Sequence, residues 1–285
     1  KSTFANHMIE ECMIACNEAV SKEFSEMKVP FIYRVHQKPD PDKFYNFTRV
    51  AKLLGEKIRL SEEPKPKEIQ NIIRGLADKP YKETLMQLIL RSMSKAVYSE
   101  KCDGHFGLAI TYYSHFTSPI RRYPDLFIHR IIKNALSGNE IPKSMKKKAM
   151  LASQLSTEAE INAMLAERES VDYKVAQYMR QFIGDYFEGK VTGLHDFGIF
   201  VKLENSVEGM APFRNLINYY EYFEEQMLVK AKENGNIIRI GDSVRVKVAN
   251  ADIVSRRIEF LLYENTDIAD GEKYKKINYD KNGKN

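Results

Sequence analysis

The sequence predicts an α+β chain, mostly helical over residues 1–183 and folded as a small five-stranded barrel after that. Three observations carry this reading. Apolar residues recur at three- and four-residue steps up to Phe182. At Gly184 the period changes from helical to alternating. Beyond it, five short strand candidates punctuated by Gly189, Gly193, Gly198 and Gly209 suit a closed barrel of the OB type. The 285 residues are 43% hydrophobic and 29% charged, which supplies a sizeable core for one large or two medium domains.

The elements follow in order. Residues 7–24 form a helix with an apolar face of Met8, Ile9, Cys12, Ile14, Ala15, Ala19 and Val20. Val29–Val35 is β-branched and aromatic and reads as a short strand. A loop with Pro39 and Pro41 leads to a helix over 42–54, stopped at Gly55. A polar, proline-bearing loop at 61–68 separates it from helices near 67–76 and 81–97. A further helix spans 124–136. A long one covers 144–182, read as packed because Ile161, Met164, Leu165, Val171, Val175, Tyr178 and Met179 recur at helical steps. The strands are Tyr186–Leu194, Gly198–Leu203, Glu208–Pro212, Ser243–Ala251 and Arg257–Leu262. The insertion 215–237 reads as a binding loop or a packed helix, and the polar residues 266–285 as a disordered tail.

Composition excludes several classes. No apolar run reaches the roughly 18–20 residues that cross a bilayer, and no signal-peptide pattern opens the chain. Cys12, Cys16 and Cys102 are too few and too scattered for a secreted disulfide scaffold and suit a reducing cytoplasm; Cys12 and Cys16 are expected as buried thiols. The net charge of +5 is unevenly spread. Residues 186–265 hold 10 Lys/Arg against 12 Asp/Glu, a net of −2, whereas residues 1–185 carry a net of +6. Any bias toward an anionic partner lies in the helical part.

The densest chemistry is in residues 105–130, HFGLAITYYSHFTSPIRRYPDLFIHR. His105, His115, Arg121 and Arg122 stand among the aromatics Phe106, Tyr112, Tyr113, Phe116 and Tyr123. Thr117-Ser118-Pro119 has the form of a helix start, with Tyr123-Pro124 restarting the helix. Two arginines beside free backbone N–H groups at a helix start suit a phosphate.

This segment closely resembles the C-terminal part of the RNB catalytic domain of the ribonuclease II/ribonuclease R family. The motifs HFTSPIRRYPDL and MQLILRSMSKAVYSE, the opening IEECMIACNEAV and AERES at 166–170 appear in the family's order, and the resemblance covers residue 1 to about residue 265. It implies a processive 3′-to-5′ exoribonuclease that releases nucleoside 5′-monophosphates with the help of Mg²⁺ held by clustered aspartates. By motif match Arg121 stabilises charge at the scissile phosphate. Glu10, with Glu11 in reserve, lies near the 3′-terminal nucleotide, where a carboxylate can accept from a ribose hydroxyl. Glu167 matches a carboxylate on the RNA path, and Arg122, His115, Ser118 and Tyr123 fall in the same 3′-end pocket. In the family the metal aspartates precede the IEE helix, just before which this sequence opens. Asp40-Pro41-Asp42 is the only D-x-D, in a Pro loop, and Asp103, Asp125 and Asp172 are isolated. No metal ligand is therefore assigned within the chain, which is expected to be a C-terminal piece lacking the family's cold-shock domains.

The barrel resembles an S1-type RNA-binding domain through Gly189-Lys190-Val191, Phe197-Gly198-Ile199-Phe200-Val201, Glu208-Gly209-Met210, Gly241-Asp242, Asp252 and Arg256. The resemblance implies that Phe197 and Phe200 stack on bases, with Lys190, Asp252 and Arg256 contributing. Stacking is worth about 1–3 kcal/mol per base. By alternation, residues three apart face opposite ways unless a bulge intervenes, which would make one of the two phenylalanines core. Where the family usually has a histidine, this chain has Pro212. The expectation is a cytoplasmic, monomeric partner of single-stranded RNA: residues 1–183 as part of an RNB domain, 184–265 as an S1 domain. The competing reading is a non-catalytic single-stranded RNA-binding protein from the same family.

Overall fold

A computed structural model describes residues 2–263, apart from 59–60, 62–63, 80, 216–218, 224–225 and 234. Residues 266–285, read above as a disordered tail, lie outside the described residues. The chain divides into two compact units. One is built from residues up to Arg49, Lys57–Ala77 and Leu88–Leu165; the other from Val50–Glu56, Asp78–Gln87 and the residues from Ala166 onward.

The helices are α1 (Phe4–Glu26), α2 (Pro41–Leu53), α3 (Pro66–Gly75), α4 (Lys82–Ser92), α5 (Tyr123–Leu136) and α6 (Met145–Met179). Helix α1 starts where the Thr3 and Asn6 side chains and backbones satisfy one another in a capping box. Only Asn17, Ser21 and Phe24 of α1 are buried, all in its C-terminal half. Its predicted apolar face is exposed at Met8 and Ile9. Cys12 is likewise exposed and Cys16 is half-buried, so the expected buried thiols are corrected. The predicted strand shortens to β1 (Tyr33–Val35). The predicted helix 81–97 ends at Ser92, because Val97–Ser99 instead forms β2, antiparallel to β1 with Tyr33 opposite Ser99. Phe24, Phe31, Ile32, Val35, Tyr98, Phe127, Ile128, Ile131 and Ala149 form the first unit's core. Each large apolar side chain among them contributes about 1.5–3 kcal/mol of burial.

The long helix is the other correction. Ile161, Met164, Leu165, Val171 and Tyr178 are exposed, and the buried α6 residues are small or terminal: Ala149, Ala152, Ser153, Ala176 and Met179. The helical period was legible, but it does not mark a packed stripe over the middle of α6.

The predicted barrel is closed. Its strands β3 (Tyr186–His195), β4 (Gly198–Leu203), β5 (Glu208–Pro212), β9 (Ser243–Asp252) and β10 (Arg257–Tyr263) run in the order β10-β5-β4-β3-β9, with β10 and β5 parallel. Alternation sends Val191, Ile199, Val201, Ala211, Val246, Val248, Ile258 and Phe260 inward. The insertion is neither open loop nor helix where it is described. It carries β6 (Tyr220–Phe223), β7 (Leu228–Ala231) and β8 (Ile237–Arg239) as a small antiparallel sheet. Tyr220 is buried and stacks on Phe213 at 5.9 Å, with Val229 and Ala231 joining the barrel core. No helix among the described residues is long and apolar enough to cross a membrane.

Gly209 leaves room for the buried ring of Phe260: a Cβ there would meet the ring at 2.5 Å. Gly209→Ala is therefore expected to lower stability by about 1–3 kcal/mol through overpacking. Chemical denaturation checks this, and an unchanged midpoint contradicts it.

Candidate nucleic-acid interface

The site begins with a segment too irregular to hold itself. Residues 104–122 contain one three-residue 3₁₀ turn, Phe106–Leu108, and two left-handed residues, Gly104 (φ +77°) and Ala109 (φ 57°). Side chains from neighbouring elements satisfy its backbone, as buried polar groups require. The buried Asn17 of α1 donates to the Tyr113 hydroxyl at 3.2 Å and accepts from the Phe116 N–H at 2.9 Å. His129 of α5 lies 2.9 Å from the Phe116 carbonyl and stacks on the Phe116 ring at 4.2 Å. His36 accepts at Nδ1 from the Gly107 N–H (3.0 Å), and His105 at Nδ1 from the Leu108 N–H (3.2 Å). The two imidazoles stack at 5.0 Å, and His105 meets Tyr113 edge-on at 5.2 Å.

Asp125 closes the segment. It is fully buried in the first turn of α5, and its Oδ1 accepts from the Ser118 N–H at 2.8 Å and from Arg122 Nη2 at 2.7 Å. The N–H groups of Arg121 and Arg122 both donate to the Ser118 carbonyl, so 118–122 is a turn and not the helix start read at Thr117-Ser118-Pro119. The helix begins at Tyr123, with Pro124 in its first turn, where a missing N–H costs nothing. This turn draws Arg122 inward and leaves Arg121 exposed.

A cleft of about 840 Å³ opens here. Arg121, Arg122, Tyr123 and Tyr98 line it, together with Lys148, Leu151, Leu155, Glu160 and Ala163 of α6. Arg34 braces one wall. It pairs with Glu160 through two bonds of 2.6 and 2.9 Å and lies 4.6 Å over the Tyr98 ring. Burial pushes the Tyr98 hydroxyl up to about 12, and its oxygen lies within hydrogen-bond distance of His115 Nδ1 at 2.9 Å. His115 is pushed down to about 3, by burial first and by Arg122 and Arg34 next; His105 falls to about 4 by burial, with His36 and Arg34 adding to it. Both imidazoles are neutral at pH 7 and serve as supports. The cleft can thus pair cations with phosphates and offer Tyr123, 52% exposed, to a base or sugar.

The other predicted residues fall in separate places. Glu10 is exposed on α1, 3.6 Å from His7. Glu167 is exposed on the part of α6 that belongs to the second unit. In the barrel, Phe197 is 53% exposed and meets the outward-facing Phe200 at 6.3 Å. Neither is core, because Phe197 sits in the turn between β3 and β4, where strand alternation does not apply. Lys190 is exposed on β3. Asp252 accepts from the Val254 N–H (2.9 Å) and the Ser255 hydroxyl (2.7 Å), holding a turn, and Arg256 reaches Glu169 at 3.0 Å. Sequence reading missed His195, which joins the two phenylalanines, and the supporting roles of Asn17, Tyr98 and Asp125. The Arg122/Asp125 spacing at a helix start was the one available signal for the last of these.

The fold and this site define a class: a helical segment with a cationic cleft, followed by a closed OB-type barrel. An RNB domain model matches residues 1–138, and an S1 RNA binding domain model matches residues 180–262. Ribonuclease R of Aquifex aeolicus is 40% identical over 265 residues, 91% of this chain and 37% of its own length. Ribonuclease R of Thermotoga maritima is 36% identical over 271 residues, 93% of this chain and 38% of its own. The apo form of Mycoplasma genitalium RNase R matches with a TM-score of 0.85 at 27% identity, covering 92% of this chain and 42% of that one. The same protein in complex with ribose-methylated single-stranded RNA matches at 0.84. The chain thus carries RNB and S1 domain matches, is a homologue of proteins named ribonuclease R, and spans about two-fifths of the length of these relatives.

Two outcomes follow. Asp125→Ala leaves Arg122 half-buried without its partner and is expected to cost about 3–5 kcal/mol; denaturant unfolding within 1 kcal/mol of the parent contradicts the lock. The imidazoles set a pH dependence. Their pKa values are lowered in the fold, so their contribution to stability is complete above about pH 6.5 and is lost as pH falls toward about 4 and 3. Thermal unfolding of the helical unit should weaken from about pH 6.5 to 4.5, and His115→Gln should flatten that slope. An equal slope in the variant removes His115 from the account.

Proposed function

We propose that the chain serves a ribonuclease R-like 3′-to-5′ exoribonuclease, acting on single-stranded RNA to release nucleoside 5′-monophosphates. Residues 1–183 would work as part of the RNB catalytic domain and 184–265 as the RNA-guiding S1 domain, in a cytoplasmic monomer. The observation that carries this is the turn at 118–122: one buried carboxylate holds Arg122 and leaves Arg121 exposed at the cleft. A guanidinium placed there stabilises charge on a phosphate in the transition state, which is typically worth about 10²–10³ in kcat. Glu10 and Glu167 are assigned to the 3′-end path, and the S1 barrel to the incoming strand.

The family implies Mg²⁺, and the described residues do not fit it. No group of three or more His, Cys, Asp or Glu side chains is gathered among them. Asp40 is committed to the N–H groups of Asp42 and Lys43 at the start of α2, and Asp125 to Ser118 and Arg122. Magnesium is therefore assigned to carboxylates outside the described residues. Under this reading the chain taken alone binds RNA without cutting it.

The chain with Mg²⁺ and end-labelled RNA should bind and release no mononucleotides; release would show a metal site among its own residues. Binding should weaken linearly in log salt, with a slope near about −2 for three phosphate contacts. A flat response removes the cationic cleft. Joined to a complete RNB domain, Arg121→Ala should lower kcat about 100-fold with RNA affinity largely kept; normal cutting refutes the role of Arg121.

A further inference from the structure

The S1 face carries an aromatic residue that neither the motif match nor the S1 reading assigns. His195, exposed at the end of β3, stacks flat on Phe197, with ring centroids 5.1 Å apart and 14° between planes. It meets Phe200 edge-on at 5.4 Å and 78°. The three rings form one cluster on the outside of the barrel.

A bulge brings the imidazole there. From Gly189 opposite Leu203 to Val191 opposite Val201 the β3–β4 ladder is regular; it then shifts, so that Gly193 faces Phe200, Leu194 faces Ile199 and His195 faces Gly198. Without the extra residue, Leu194 would stand opposite Gly198, on the outward side shared with Phe200. With it, Leu194 turns into the core, 4% exposed, and His195 turns out. Gly198 pairs in turn with Pro212 on β5. His195, Gly198 and Pro212 therefore form one rung across three strands, of which His195 alone is exposed. Gly198 cannot carry a side chain, since a Cβ would lie 2.7 Å from the Ala211 carbonyl oxygen.

We propose that His195 is a base-contacting residue of this S1 domain, adding an imidazole from β3 to the face formed by Phe197 and Phe200. Its ligand is a base of single-stranded RNA, stacked against the His195–Phe197 pair. A barrel segment with a net charge of −2 gains little from phosphate contacts, so its grip depends on such stacking. The inference rests on the RNA-binding reading of the barrel.

The test uses the whole chain and a single-stranded oligouridylate. The chain has 6 histidines, so their Cε1–H resonances can be followed by NMR, with His195 assigned from its loss in His195→Ala. RNA should shift the His195 resonance. His195→Ala should weaken binding about 5- to 10-fold, comparably to Phe197→Ala, while His195→Phe stays within about twofold. The side chain is exposed, so unfolding midpoints should not change. If Phe197→Ala weakens binding and His195→Ala does not, the face binds RNA and the role of His195 is overturned. If neither variant weakens binding and no histidine near the face shifts, the RNA-binding reading of the barrel fails, and this inference with it.

Discussion

One buried carboxylate organises the helical site. Asp125 has no exposed surface, and its Oδ1 takes both the Ser118 N–H and a guanidinium N–H of Arg122. A carboxylate buried so completely is tolerated only with a partner this close. Its two bonds fix the path of the turn between them. Arg122 must point inward to reach Asp125, and Arg121, one residue earlier in a tight turn, is left exposed at the cleft. The stack of His36, His105 and Tyr113, the bridge through Asn17 and the clamp of His129 all hold the backbone leading into that turn. Burial pushes the His36 and His105 imidazoles down, so this histidine-rich stack serves as scaffold.

The two units carry different chemistries. The helical cleft combines arginine and lysine with an apolar wall, an arrangement for phosphates and the sugars between them. The barrel face presents rings on a segment of net negative charge, an arrangement for bases. A single-stranded nucleic acid is the polymer that offers both, because its bases are free to stack.

The barrel was readable almost strand for strand, since alternation and glycine punctuation report local geometry directly. The helices were readable as helices, yet not as packed or exposed. The 3.6-residue period over Ile161–Leu165 is real, but those side chains meet solvent among the described residues. Strand β2 was hidden because Val97–Ser99 follows a helical run and is called into a strand only by its partner β1. Asp125 looked isolated because its partners lie in an irregular turn whose path no periodicity reveals. His195 was invisible for a related reason: the bulge at Val191–Gly193 reverses the face on which alternation would place it.

The central claim is that Asp125 acts on RNA through the placement of Arg121. A double-mutant cycle on kcat, in a protein joining this chain to a complete RNB domain, tests it most directly. Asp125→Asn is predicted to lower kcat at least about tenfold when Arg121 is present, and to change it less than about twofold when Arg121 is already alanine. Equal losses in both backgrounds would contradict the account, because Asp125 would then matter for the fold and not for the aim of Arg121.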